Sequence, residues 1–164
     1  MGLGQAVSDH RLVAGIGFRH GMPSDAIVVL IRRALAATAE GRLAAIATAA
    51  DRACEPAIRE AAAAFGLVPV AVGPDALRQV DSRVPTRSVR IERLRGVGSL
   101  AEAAALAVAG ETGRLVLARI DDGGATCALA ALGLDATIEG AFAGPRQRPA
   151  SERAATAQIV IPNA

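Results

Sequence analysis

The chain has no tryptophan, no tyrosine and no lysine, and three phenylalanines supply all of its aromatic content, 2% of 164 residues. Single-stranded nucleic acid is held by stacking its bases on aromatic rings, so that class of partner is not expected. A formal charge of +2 is also too small for a duplex-binding footprint. Cysteine is equally scarce. Cys54 and Cys127 are far apart, with no Cys-x-x-Cys and no clustered histidine, which points to reduced thiols in a cytoplasmic protein, with no metal site and no cofactor expected. Long apolar runs are missing too. Ala26-Ile-Val-Val-Leu-Ile31 meets Arg32-Arg33 at once, far short of the ~20 residues a membrane helix needs. Residues 1–11 carry no basic segment followed by an apolar one, so no secretory signal is expected.

What remains is aliphatic. The chain is 52% hydrophobic and 21% charged, a balance that suits one globular domain whose core is built from alanine and branched side chains. All eighteen basic residues are arginine. Guanidinium is a planar fork matched to carboxylate and phosphate, although a GC-rich coding bias produces the same usage and composition alone says little about function.

Periodicity divides the chain into alternating elements. Arg11–Ile16 reads as a strand and Ser24–Ala39 as a helix, with apolar Ile27, Leu30, Ile31, Ala34 and Leu35, an N-cap at Ser24 and a stop at Gly41. Leu43–Ala47 is a continuous apolar run typical of a buried parallel strand. Pro56 opens a second helix, closed by Gly66, and Leu67–Val72 is a third strand. Pro69 confines that strand to an edge, or to a start after the proline. Pro74–Val80 reads as a short helix, Asp81–Thr86 as a loop, and Val89–Leu94 alternates like a strand with one wet face. Ser99-Leu-Ala-Glu102 is a capping box at the head of an alanine-rich helix that ends at Gly110. Leu115–Ile120, Asp121-Asp-Gly-Gly124 and Ala125–Ala130 form a hairpin. Residues 1–142 are therefore expected to form a single α/β domain, a three-layer α/β/α sandwich around a mixed β-sheet. Residues 143–164 read as a mobile tail, with Ile159-Val-Ile161 a candidate late strand or docking segment.

The segment Leu12-Val-Ala-Gly-Ile-Gly-Phe-Arg-His-Gly-Met-Pro-Ser-Asp25 stands out. It is an apolar strand that breaks on glycines and feeds a helix. In α/β sheets such junctions, at the carboxyl ends of the parallel strands, are where ligands bind. Gly15-x-Gly17-x-x-x-Gly21 departs from the dinucleotide spacing, and no acidic residue follows Leu43–Ala47 to hold a ribose. A nucleotide is thus the weakest of the alternatives.

Four stretches in order resemble the cobalamin-biosynthesis family of CobE and the C-terminal domain of CbiG: Val13–Gly21, Ala47–Glu55, Gly96–Ala105, and Leu115–Arg119 with Ala125–Ala130. The family pattern favours lysine at two places that are Arg52 and Arg119 here, which keeps the positive charge and removes any lysine-specific proton transfer. The resemblance implies an α/β/α sandwich and a place in the corrin-ring pathway. It covers only the last domain of CbiG proteins, which are associated with opening a precorrin lactone, and fits the stand-alone CobE form better.

On that resemblance the expected ligand is a corrin-ring (tetrapyrrole) intermediate, with other cobalamin-pathway enzymes as candidate partners. Such rings carry carboxylates around an apolar macrocycle, so their site needs fixed cations above small or aliphatic residues. The candidate binding residues are Gly15, Gly17, Arg19, Thr48, Arg52, Gly98 and Ser99. For the alternative reading, a lactone hydrolase, His20 or Glu55 is the candidate catalytic, water-activating residue; His20 is also weighed as an axial cobalt ligand. The ordinary readings stand beside these. Arg52 and Glu55 can pair with each other, Ser24 and Ser99 can be plain helix caps, both cysteines can be packed thiols, and Arg83, Arg87, Arg90, Arg93 and Arg95 can line a solvated strand face.

Overall fold

The computed structural model describes residues 10–39, 41–136 and 138. The tail and its Ile159–Ile161 segment lie outside the described residues. Five strands form one sheet in the order β3-β2-β1-β5-β4: β1 (Arg11–Phe18), β2 (Arg42–Ala49), β3 (Val70–Val72), β4 (Arg114–Asp122) and β5 (Ala125–Ala131). β1, β2 and β3 run parallel, whereas β5 is antiparallel to both β1 and β4. The helices are α1 (Ser24–Ala36), α2 (Pro56–Ala63), α3 (Pro74–Gln79), α4 (Val89–Arg95) and α5 (Leu100–Ala109), with a 3-10 turn at Asp81–Arg83.

Two cores sandwich the sheet, and strand alternation decides which residue serves which. On one side Leu12, Ala14, Ile16 and Phe18 of β1 meet Ile27, Leu30 and Ile31 of α1 and Ile58 and Ala62 of α2. Each fully buried aliphatic chain there is worth ~1.5–3 kcal/mol. On the other side the sheet is lined by small residues, among them Ala45, Ala47 and Ala130, and α5 packs onto them through Ala104, Ala105 and Ala109. Helix α5 is apolar nearly all round and buried accordingly. The expected mixed α/β architecture is present, with the hairpin completing the sheet.

Several boundaries differ from the sequence reading. The segment Val89–Leu94, expected as a strand, is the helix α4. Its apolar residues fit either period, but Ile91 and Leu94 are three apart and share one helical face, and Gly96 ends the helix in a left-handed conformation (φ +71°). The third strand is only Val70–Val72, because Pro69 brings no N–H to the ladder; it is an edge strand, as the proline requires. Ser24 is the first residue of α1, and Pro23 occupies the cap position without a side-chain bond. Ser99 does cap α5, accepting from the Glu102 N–H at 3.5 Å. The Glu102 carboxylate, however, does not return to Ser99 to close the box; its partners lie elsewhere.

Candidate functional site

β1 ends at Phe18, and the next residue is fixed to the hairpin: the Arg19 N–H donates to the Gly124 carbonyl at 2.9 Å. That turn is a two-residue link in which Gly123 and Gly124 both take positive φ, the conformation that lets β4 and β5 close tightly. The end of β1, the hairpin tip, the loop after β2, helix α4 and the first residue of α5 together enclose a cavity of about 560 Å³. It opens at the carboxyl rim of the parallel strands, where the topology places ligands. Gly17, Phe18, Leu100, Ala125 and Thr126 supply its inner lining, while Ile91 and Leu94 reach it from α4.

Five arginines line this space: Arg19, Arg52, Arg90, Arg95 and Arg119. Their electrostatic states differ. Arg52 donates to Glu55 Oε1 at 2.6 Å and lies with its guanidinium carbon 5.6 Å from the Phe18 ring centre. Arg95 donates to Asp51 at 2.7 Å, and that bond holds the Asp51 carboxyl below the usual carboxylate range. The guanidinium groups of Arg19, Arg90 and Arg119 have no hydrogen-bond or ion-pair partner among the described residues. Of the two lining carboxylates, Asp122 faces Arg33 at 3.8 Å, and Asp121 has no partner among the described residues. The unpaired charge in the cavity is therefore predominantly positive, above a floor of small and aliphatic groups. Chemically, such an arrangement suits an anion with several negative groups carried on an apolar frame.

Beside the cavity, Arg52 joins His20 and Glu55 into one cluster. His20 Nδ1 lies 2.8 Å from Arg52 Nη1 and 3.0 Å from Glu55 Oε1. Without a proton Nδ1 accepts from Arg52; with one it donates to Glu55. The His20 side chain is 80% exposed, against 17% for Arg52 and 21% for Glu55. Water therefore reaches the imidazole from outside while the ion pair is sheltered. Among the described residues no three of His, Cys, Asp and Glu gather as a metal-binding group. Within the same residues, no helix is long and apolar enough to cross a membrane.

The structure separates the other expected site residues by location. Gly17, Arg19 and Arg52 line the cavity, and His20 and Glu55 adjoin it through Arg52. Gly15, Thr48, Gly98 and Ser99 do not line it. Gly15 lies beneath α5, where a Cβ would collide with the Ala101 carbonyl and come within 2.6 Å of the Ala105 nitrogen. Thr48 is buried in β2 and donates to the Ile16 carbonyl at 2.8 Å. Gly98 packs against Thr86 and Arg87, and its N–H donates to Asp81 at 2.9 Å. Ser99 is fully buried as a helix cap. The sequence alone leaves Arg90 in a basic stretch that either lines a solvated strand face or helps collect an anionic precursor or partner enzyme, and gives Arg119 no site role. The i, i+3 spacing of Ile91 and Leu94 was the available signal for α4, and α4 carries Arg90 to the rim. Of the rest of the basic stretch, Arg87 bridges Asp81 and Glu92, which lowers the Asp81 carboxyl and raises the Arg87 guanidinium, Arg83 donates to the Gly110 and Gly113 carbonyls, and Arg93 is exposed on α4.

Comparison with known proteins bears on the family and the fold. Residues 12–130 match the family described as Cobalamin synthesis G C-terminus. The curated Protein CobE of Sinorhizobium sp is 35% identical over 121 residues, covering 73% of this chain and 79% of that protein. The crystal structure of CobE, a protein from the cobalamin (vitamin B12) biosynthetic pathway, superposes with a TM-score of 0.70 at 32% identity, over 76% of this chain and 92% of that one. Cobalamin biosynthesis protein chiG from Agrobacterium tumefaciens gives 0.61 at 35% identity, over 74% and 98% of the two chains. A cobalamin biosynthesis protein G homolog from Sulfolobus solfataricus shares the fold at 20% identity, with a TM-score of 0.59 over 76% of this chain and 37% of its own. The chain belongs to the cobalamin-biosynthesis family of CobE and the CbiG C-terminal domain.

Proposed function

We propose that the protein binds a corrin-ring intermediate of cobalamin biosynthesis in the cavity at the strand-end rim, and carries it between other enzymes of that pathway. The observation that supports this most directly is a trio of guanidiniums, Arg19, Arg90 and Arg119, without a partner among the described residues, around one cavity with small and aliphatic side chains in its lining. Charge-assisted bonds to carboxylates are worth ~1.5–3 kcal/mol each. Up to three such bonds would add to contact of the macrocycle with Ile91, Leu94 and Leu100. Gly17 leaves space for Thr126, whose hydroxyl lies 2.7 Å from where a Cβ would sit, and so keeps the inner wall low. The test is to mix the purified protein with metal-free and cobalt-containing corrin intermediates and follow co-elution by their visible bands. Retention of at least one intermediate is expected; retention of none overturns the proposal.

A second reading, a precorrin lactone hydrolase, is favoured by the His20–Glu55 contact at 3.0 Å beside the same cavity. In that reaction the pair would take a proton from water as its oxygen adds to the lactone carbonyl. The ring C–O bond then breaks, and the released alkoxide takes up the proton. Mass analysis after incubation with a lactone-bearing precursor separates the two readings. A gain of one water that depends on His20 supports hydrolysis; a bound, unchanged ligand supports the carrier.

A further inference from the structure

Glu102 is the one fully buried acidic residue among the described residues. Its carboxylate bonds to nothing on its own helix. Oε2 accepts from the Thr86 N–H at 3.0 Å, and Oε1 accepts from the Thr86 hydroxyl at 2.6 Å and from the Arg119 N–H at 2.9 Å. Of these partners Arg119 lines the cavity, and Thr86 lies two residues before Ser88, which lines it. Thr86 lies on the loop that leads, through a Ser88 N–H to Gly98 carbonyl bond of 2.9 Å, into α4 and Arg90. Arg119 lies where the register of β4 against β5 shifts, between Leu117 and Ile120. A bulge leaves an extra residue without a ladder partner and re-aims its side chain, and here the Arg119 N–H is accepted by Glu102.

We propose that Glu102 is a positioning residue for the cavity: from below, its carboxylate fixes the β4 bulge that aims Arg119 and the loop that delivers Arg90. It thereby sets the spacing between two of the three free guanidiniums. This rests on the reading of the cavity as a site for a polycarboxylate. A plain helix cap would need only the short reach back to Ser99. The carboxylate instead spans away from α5, and a buried charge that loses its donors is costly enough to keep both walls in place. Arg19 is held independently, by its own N–H on Gly124.

The test uses the full chain and a metal-free corrin polycarboxylate, with binding followed by the shift of its visible band. Glu102→Gln preserves volume, leaves one accepting oxygen and turns an NH2 group towards a donor. It should weaken binding at least 5-fold. On a background lacking both Arg90 and Arg119 (each to Ala) the same change should cost less than 2-fold, on Arg119→Ala alone part of its effect should remain, and on Arg19→Ala it should keep its full effect. Thr86→Val removes one hydroxyl from a partly exposed loop, so it tests the α4 wall even if Glu102→Gln fails to fold. Its effect should shrink on an Arg90→Ala background and persist on Arg19→Ala. Equal losses on every background would mean general loosening and would overturn the positioning role while leaving the cavity reading intact. Failure of the unaltered protein to bind the corrin overturns the cavity reading, and the positioning role with it.

Discussion

Gly15 offers the sharpest separation between a ligand site and a packing site. If its missing side chain served a ligand, Gly15→Ala would lower chain entropy in the unfolded state and add strand propensity, stabilising the free protein by ~0.5–1 kcal/mol. The structure predicts the opposite. An added Cβ meets the Ala101 carbonyl, the Ala105 nitrogen at 2.6 Å and the Ala105 Cβ at 2.9 Å. Two of these three atoms are backbone, so no rotamer change relieves the contact. Helix α5 must move off the sheet, yet Ala101, Ala103, Ala104 and Ala105 are all fully buried. Overpacking of this kind costs ~1–3 kcal/mol, and more where backbone must shift. Offsetting the small propensity gain, Gly15→Ala should destabilise by ~2 kcal/mol and lower Tm by ~4–8 °C for a chain of this size. Urea unfolding followed by far-ultraviolet circular dichroism is the assay, since there is no tryptophan to report by fluorescence. A variant as stable as the parent, with corrin binding lost, would refute the packing argument and restore Gly15 to the site.

Arg19→Ala should weaken corrin binding ~10-fold or more, as loss of a charge-assisted bond implies. Arg93→Ala, on the exposed α4 surface outside the cavity lining, should change it little; titrations giving equal effects would contradict the site placement. Two N–H groups and the Thr112 hydroxyl bond Asp135 and pull its carboxyl down to about 2. Because the folded-state value is depressed, this stabilisation is complete above the ordinary carboxylate value of 3.8 and is lost as pH falls towards 2. Acid unfolding curves of the parent and Asp135→Asn should accordingly differ at pH 6 and converge near pH 2; a gap that persists there would overturn this account. Burial pushes the Cys127 thiol up to about 12, while Cys54 is exposed. A thiol reagent at neutral pH should thus titrate one cysteine in the folded protein and two in denaturant, and two in the folded state would contradict the packing of β5.

Much of the framework was legible without coordinates. Continuous apolar runs at Leu12–Ile16 and Leu43–Ala47, bounded by turn residues and too short for a helix, read as buried strands, and Pro56, Gly66 and Ser99 mark helix ends through chemistry confined to their own neighbourhood. The order of motifs was enough to suggest the family, and the rim followed from the rule for parallel strands. Val89–Leu94 reads as a strand from sequence because its apolar spacing satisfies two periods, and nothing local to six residues says whether a sheet edge is there to receive it. Gly15 and Gly17 are alike as sequence, two glycines in one strand. Only the third dimension puts a helix backbone over the first and Thr126 with an open cavity beside the second. Glu102 is the same lesson in reverse. Its spacing from Ser99 correctly marked the start of α5, but its carboxylate serves Thr86 and Arg119, 16 and 17 residues away. Sequence by itself settled which segments are strands and helices wherever the signal is local, and which family they compose. Tertiary structure alone decided which arginines stay unpaired at the rim, because pairing depends on distances between elements that no local pattern encodes.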